Sequence, residues 1–333
     1  MKGFHTSCFG NVIHCLLCCA PILGLAAGIA DVQDYPSKPI RIVVGYAAGG
    51  SNDIVARHLA PKLGNILGGR VVVENRPGAN AIIGTELVAK SAPDGHTLIL
   101  ASVSPLVLNP LVYRKIPYDT LNDFIGLTTV AMTPQGIIMN PAVPARTLKQ
   151  LIALAKAQPG KINVASAGSG GLGHVTIELI NIATGITLQH LPYKGLAPAL
   201  TDLLGGQIDG AIADIPAMIP HIKSGKVRAL AVTSAARAPL LPDVPTAVEQ
   251  GLPVLVAVNW FSVLTPAKTP RPVVEKLYGA LVKAASSPDV TERLLAVGVE
   301  SMTNPSPEAF TTYLRGEFAR WGKVVKESGV HAD

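Results

Sequence analysis

Cysteine is confined to the start of the chain: Cys8, Cys15, Cys18 and Cys19 are the whole complement of 4 in 333 residues. Beyond them, disulfides, thiolate nucleophiles and cysteine-ligated metals are excluded. Charge is scarce at 15%, against 48% hydrophobic residues, which excludes a disordered, strongly charged chain. Aromatics reach only 5%, and none are interleaved with basic residues as a stacking platform. Lys38, Arg41, Arg57 and Lys62 stand singly. The net charge of +6 therefore reads as a solvated basic face with a modest pull on small anions, and nucleic acid is not expected as a partner. After the N-terminus no apolar run attains the ~20 residues of a membrane span.

What is present begins with a leader. Lys2, an apolar stretch from Ile13 to Ile29 and small residues around Gly28-Ile29-Ala30 read as a secretory signal over residues 1–30, cut near Ala30. Leu16-Leu17, before Cys18 and Cys19, are not the small residues that precede a lipid-modified cysteine. The mature chain is expected to be exported and soluble.

Short β-branched runs then alternate with helical patterns. Strands are expected at 39–44, 71–74, 97–101, 162–165, 187–191, 208–213, 228–233 and 254–258. Helices are expected at 53–67, 81–90, 174–183 and 197–204, with Pro61 bending or interrupting the first. The stretch from Pro270 reads as mostly helical. This rhythm is that of an α/β protein with mostly parallel sheets flanked by helices. The length suggests two domains, yet no Ser/Gly/Pro-rich tether divides the chain. Two crossings by ordinary strands, near 127–132 and 228–233, account for this. They give lobe 1 as 35–130 plus 233–333, lobe 2 as 131–232, and a cleft between them.

Two glycine-rich turns, each between a strand and a helix, are the candidate site. One runs Gly45-Tyr46-Ala47-Ala48-Gly49-Gly50-Ser51-Asn52-Asp53, the other Ser166-Ala167-Gly168-Ser169-Gly170-Gly171-Leu172-Gly173-His174. Such turns leave helix N–H groups unpaired and attract an anion. Facing across a cleft, they could hold both carboxylates of one diacid. The competing reading is ordinary turn chemistry, with Ser51, Asn52 or Asp53 as an N-cap.

Enzyme signatures are missing at these turns. Gly168-x-Gly170-x-x-Gly173 has the dinucleotide spacing, but no acidic residue stands at the end of the next strand. Neither turn ends in Gly-Lys-Ser/Thr, and Ser166 and Ser169 have Val164 and Ala167 where a nucleophile elbow needs glycine. The histidines are dispersed, so no metal site or cofactor is expected. His174 has two readings, bonding the loop backbone or contacting a ligand. Asp214 ends an apolar strand, where α/β folds place cleft residues; its alternative is a helix N-cap. Trp260 reads as core or hinge packing.

Several runs occur together and in order: Tyr35-Pro36-Ser37-Lys38-Pro39-Ile40-Arg41, Ala48-Gly49-Gly50-Ser51-Asn52-Asp53, Val73-Glu74-Asn75-Arg76-Pro77-Gly78-Ala79, Pro93-Asp94-Gly95-His96-Thr97-Leu98, Pro117-Tyr118-Asp119, Pro192-Tyr193-Lys194-Gly195 and Leu241-Pro242-Asp243-Val244-Pro245-Thr246. From Tyr35 onward the chain resembles the substrate-binding proteins of tripartite tricarboxylate transporters, the Bug family of periplasmic receptors. The resemblance implies a two-lobed Venus-flytrap fold that closes on a small organic carboxylate, in the periplasm, as a monomer without catalysis or cofactor. Its ligand residues carry over to Tyr46, Ala48, Gly50, Ser51, Asn52 and Asp53 in the first loop. In the second they carry over to Ser166, Ala167, Gly168, Ser169, Gly170 and His174, with Ser102, Tyr193 and Asp214 as further cleft contacts. Gly45 and Tyr46 stand where the family often has proline and phenylalanine, and Gly171 where it often has a hydroxyl residue. The implied partners are the membrane subunits of such a transporter. Two alternatives stay open: a sensor signalling to a membrane protein, and an enzyme using His174 and Asp214 as acid and base.

Overall fold

The computed structural model describes residue 3 and residues 35–332. Apart from Gly3, the expected signal segment lies outside the described residues.

Apolar β-branched runs form the inner strands. β1 (Ile40–Val44) pairs in parallel with β2 (Val71–Asn75) and β3 (Thr97–Ser102), with Ile42 opposite Val73 and Leu98. Away from it, β5 (Asn163–Ser166) pairs in parallel with β6 (Gln189–Pro192) and β7 (Gly210–Asp214). The two parallel groups are joined by β4 (Phe124–Met139) and β9 (Val258–Pro266) in the order β2-β1-β3-β9-β4-β7-β5-β6; β8 (Arg228–Val232) and β10 (Glu300–Ser301) also pair with β4. All pairings of β4, and that of β9 with β3, are antiparallel, so the sheets are mixed rather than mostly parallel.

β4 organises the molecule. Its 16 residues are almost wholly buried, as befits a strand covered on both faces. Through Pro134 it pairs with β9; from Gln135 it pairs with β7. At this change of partner three segments meet on Thr233. Its hydroxyl donates to Ala257 O (2.6 Å) and accepts from Gln135 N (3.0 Å), and Thr233 N donates to Gln135 O (2.9 Å). β4 thus changes partner just after residues 127–132. Residues 234–257 turn back onto β8, where Ala238 and Leu241 pack with Ile215, Ile219 and Val232. The chain re-enters the first half of the sheet only at β9. Trp260 lies inside β9 rather than after a strand at 254–258; the continuous apolar run leaves the boundary open, and pairing with β3 and β4 sets it.

Helices α1 (Ser51–Leu67) and α2 (Ile82–Ala89) belong to the first half, with a π-helical turn (Ser104–Leu108) and α3 (Asn109–Val112) after β3. α4 (Leu148–Ala157), α5 (Leu172–Thr184), α6 (Leu196–Leu204) and α7 (Ile219–Lys223) belong to the second. α1 runs unbroken through Pro61. That residue is exposed, so the missing N–H bond falls on the solvent side of the helix. α8 (Arg271–Ala285) and α9 (Pro288–Leu295) pack on α1, and α10 (Pro307–Ser328) packs on β4, α5 and the π turn.

Glycine fixes one close approach that positions the site. A Cβ at Gly173 would stand 2.7 Å from Ile212 O and 3.0 Å from Ser166 Cβ. Gly173→Ala gains about 1 kcal/mol of helix propensity. Overpacking against a backbone carbonyl, at the upper end of about 1–3 kcal/mol, outweighs it. A lowered Tm in calorimetry is expected, as α5 is pushed off β5 and β7.

Candidate functional site

The first loop joins β1 to α1, and its backbone is held from within. Asp53 accepts from Gly49 N (2.9 Å), from Arg57 Nε (3.0 and 2.9 Å) and from Asn75 Nδ2 (2.9 Å); Asn75 Nδ2 also reaches Tyr46 O (3.0 Å). Burial opposes ionisation of Asp53, but these donors prevail and hold its carboxyl below the usual range. Asp53 thus ties the loop together. Asp53 is not the N-cap: Gly50 takes that position, and no side chain caps α1. Ala48 and Gly50 are exposed. Asn52 is buried, and its Oδ1 has no partner.

Tyr46 reaches across this loop. Its hydroxyl donates to Asn80 Oδ1 (3.2 Å), and Ser102 at the end of β3 and Ser104 in the π turn face the phenol. Burial pushes its pKa up, so it is a neutral donor. Asn80 is itself clamped: its Nδ2 donates to Asn109 Oδ1 (2.8 Å), and Asn109 Nδ2 donates to Asn80 O (2.8 Å). Ala79, Asn80 and Ala81 all have positive φ (45°, 49° and 69°), a left-handed turn of three non-glycine residues. Strain of this kind persists only where the surroundings dictate it.

The second loop joins β5 to α5. Gly171 is the N-cap, again without a capping side chain. Ser166 Oγ lies 2.7 Å from His190 Nε2 and donates to Gly168 O (2.9 Å). Gly170 adopts φ 70° and donates its N–H to His174 Nδ1 (3.0 Å). The two imidazoles are stacked, with centroids 3.8 Å apart at 13°. Burial lowers both pKa values, and the neighbouring His174 helps bring His190 down to about 3. Ala167 is exposed and Ser169 half-buried.

The loops converge through residues absent from the sequence-based set. Ser104 Oγ accepts from Leu172 N (3.2 Å), at the start of α5, while facing Tyr46 of the first loop. Asp214, at the end of β7, accepts from Asn259 Nδ2 (2.8 Å); Ser51 and Gln135 are further donors. Burial raises its pKa against these three. Tyr46, Ser51, Ser102 and Asp214 are therefore brought together, as are Ser166, Gly168, Gly170 and His174. Tyr193 departs from the group: its exposed hydroxyl donates to Asp202 Oδ2 (2.6 Å), and only its N–H, donating to Ser166 O (3.1 Å), adjoins the loop. Ser104, Gln135, His190 and Asn259 were missed. Ser104 carried a signal, since it stands just past the end of β3 in an α/β pattern, whereas His190 lies within β6. Among the described residues no cluster of three or more His, Cys, Asp or Glu side chains is arranged to hold a metal.

The chain has the α/β fold of periplasmic binding proteins, the fold of a solute receptor, with the start of α5 linked through Ser104 to Tyr46 of the first loop. Residues 55–330 match the family model described as the tripartite tricarboxylate transporter family receptor, and the chain belongs to that non-enzymatic receptor family. It is 39% identical to BugT of Bordetella pertussis over 307 residues, covering 92% of this chain and 94% of that protein. Among solved structures, Rpa4515 of R. palustris with adipate superposes with a TM-score of 0.83 at 33% identity, covering 90% of this chain and 99% of that one. MatC from Rhodopseudomonas palustris with bound malate gives 0.79 at 31%, covering 87% and 100%.

Proposed function

We propose that the chain captures a small carboxylate between two lobes, residues 35–134 with 258–332 and residues 135–257, and hands it to a tripartite-type membrane transporter. The observation that carries this reading is that Ser104 joins the start of α5 to Tyr46 of the loop entering α1, while glycine is the N-cap of both helices. Each leaves backbone donors and the positive end of a helix dipole for an anion. Relatives solved with adipate and with malate support a carboxylate ligand. The leader pattern and the periplasmic relatives support the periplasm as its location, and no helix among the described residues is long and apolar enough to cross a membrane.

Tyr46, Ser51, Ser102, Ser166, Gly168, Gly170 and Asp214 form the walls in this reading, with open amides at Ala48, Gly50, Asn52, Ala167 and Ser169. Asp53 and His174 hold the two loops in shape, and Tyr193 sits at the rim. Binding favours the closed arrangement by its extra contacts there. The test is gentle denaturation of the purified protein, mass spectrometry of what is released, and a thermal-shift screen of organic acids. A single carboxylate near one-to-one, or a raised Tm with one acid, is expected. Ser104→Ala removes the acceptor of Leu172 N, so it should weaken that binding about five- to tenfold by loosening the start of α5, and should also lower the Tm of the unliganded protein because a buried N–H loses its partner. Turnover of the acid, or no response to any acid, overturns the reading.

A further inference from the structure

We propose that the cleft selects a ligand with a single carboxylate and, at its other end, a hydrogen-bond donor, above all an ammonium group, with Asp214 as the residue that makes the choice. The proposal rests on reading the two loops as the ligand site and goes further by naming the ligand's second group. Read from sequence, the two turns could have taken the two carboxylates of one diacid. In the structure the protein brings a carboxylate of its own to the first of them. Asp214, carried there by β7, lies beside Ser51, the first residue of α1. An acid in that position meets the positive end of the helix and fills the role that a ligand's anionic end would take. At the start of α5 no acid is shown in that place, and Leu172 N donates to the Ser104 hydroxyl.

The partners of Asp214 are neutral. Asn259 donates to Oδ2 at 2.8 Å, and Ser51 and Gln135 supply a hydroxyl and an amide. Gln135 is oriented for this, because its Oε1 is taken by Thr176 Oγ1 at 3.0 Å. No cation is among these donors, so nothing of opposite charge offsets the burial that raises the Asp214 pKa. A second acceptor stands next to it: Oδ1 of Asn259, on the same amide group, is buried and has no partner in a residue only 8% exposed. A buried acceptor without a donor is costly. A ligand ammonium or hydroxyl would supply that donor, and an ammonium would also balance the carboxylate. A second ligand carboxylate offers the Asn259 acceptor no donor and would make ionisation of the buried Asp214 harder still, whereas an ammonium does the reverse.

The test compares ligand pairs of equal length that differ only at the far end: succinate with 4-aminobutanoate, glutarate with 5-aminopentanoate, and adipate with 6-aminohexanoate. Binding is measured by calorimetry to the purified mature protein and to Asp214→Asn. In the best-fitting pair the amino acid is expected to bind about tenfold or more tighter than the diacid, the scale of a hydrogen bond to a charged group. In Asp214→Asn that preference is lost, and the diacid gains. A diacid bound tighter by the native protein overturns this inference and leaves the carboxylate-receptor reading standing. Binding of none of the six acids overturns this inference, while the carboxylate-receptor reading falls only if the wider acid screen also gives no response. An amino-acid preference unchanged in Asp214→Asn removes Asp214 from the selecting role. Where the variant does not fold, the native comparison decides alone.

Discussion

Glu317→Ala is expected to lower the unfolding free energy by about 3–5 kcal/mol, the cost of breaking a buried, charge-assisted network from one side. Glu317 projects from α10 into the core, where its Oε2 accepts from Trp260 Nε1 at 2.9 Å and from Trp321 Nε1 at 3.2 Å. Both indoles are fully buried. Trp260 sits in β9 opposite Met132 of β4 and packs edge-on against Phe310 and Tyr313; Arg320 covers the Trp321 ring at 4.6 Å and lies 3.5 Å from Glu317 Oε1. Alanine leaves two indole N–H groups unpaired in a dry interior and opens a cavity beside them. Glu317→Gln keeps one oxygen able to accept both N–H bonds and gives up only the half-exposed Arg320 pair, so its cost should stay below about 1.5 kcal/mol. Urea unfolding of the two variants, followed by tryptophan fluorescence, separates these outcomes. Equal losses would show that packing, not the hydrogen bonds, sets the stability here.

That network marks where sequence reading stops. Trp260 and Trp321 are visible as the chain's 2 tryptophans, and burial follows from their size and surroundings. Nothing in the spacing says that one glutamate, 57 residues from Trp260 and 4 from Trp321, serves both. The same division runs through the fold. The short strands are legible because each is a short apolar run bounded by turn residues, and the expected positions of β1, β2, β3, β5, β6, β7 and β8 agree with the structure to within about two residues. β4 is not legible: its partners β7, β8, β9 and β10 all lie far along the chain toward the C-terminus, and Pro134 and Gly136 interrupt the pattern where its pairing changes. The turn-back of 234–257 is hidden for a related reason. Leu240, Leu241 and Val244 follow neither helical nor strand periodicity, so nothing local says which half they cover.

At the site, backbone features could be read and side-chain pairings could not. Glycine-rich turns between strand and helix announce open amides wherever they occur, and both loops are where the sequence puts them. Asp53 and Ser166 look like ligand groups from their positions. Their polar atoms are engaged by Arg57, Gly49 and Asn75 in one case, and by His190 and Gly168 in the other. Those partners come from residues up to 24 positions away, a distance over which no local pattern speaks. For His174 the backbone-bonding reading describes what is seen, through Gly170 N. His190, stacked beneath it, was indistinguishable from any other histidine on a strand.

The stacked pair makes the second loop acid-sensitive. In the folded protein His190 titrates near 3, and His174 is also displaced downward, whereas unfolded histidines titrate near 6.5. The sign follows from proton uptake. Below about pH 6.5 the unfolded chain binds protons that the folded pair refuses, so stability is intact above that pH and is lost as pH falls toward 3. Because His190 retains some contact with water, a slope of about 1 kcal/mol per pH unit is the appropriate scale, below the full linkage value. The group facing the pair is Glu178, whose Oε1 lies 3.9 Å from His174 Nε2; while ionised it softens the effect by welcoming a proton there. Protonation still needs His174 Nδ1, which is the acceptor for Gly170 N, and a doubly protonated ring can no longer accept that bond. The turn at Gly170 would then open, and carboxylate affinity should fall with it. Urea midpoints measured from pH 7 to 4.5 should decline more steeply for the native protein than for His190→Gln, which cannot take up the proton. Parallel slopes would mean that other groups, chiefly carboxylates such as Asp53 whose native pKa is held low, govern the acid response instead.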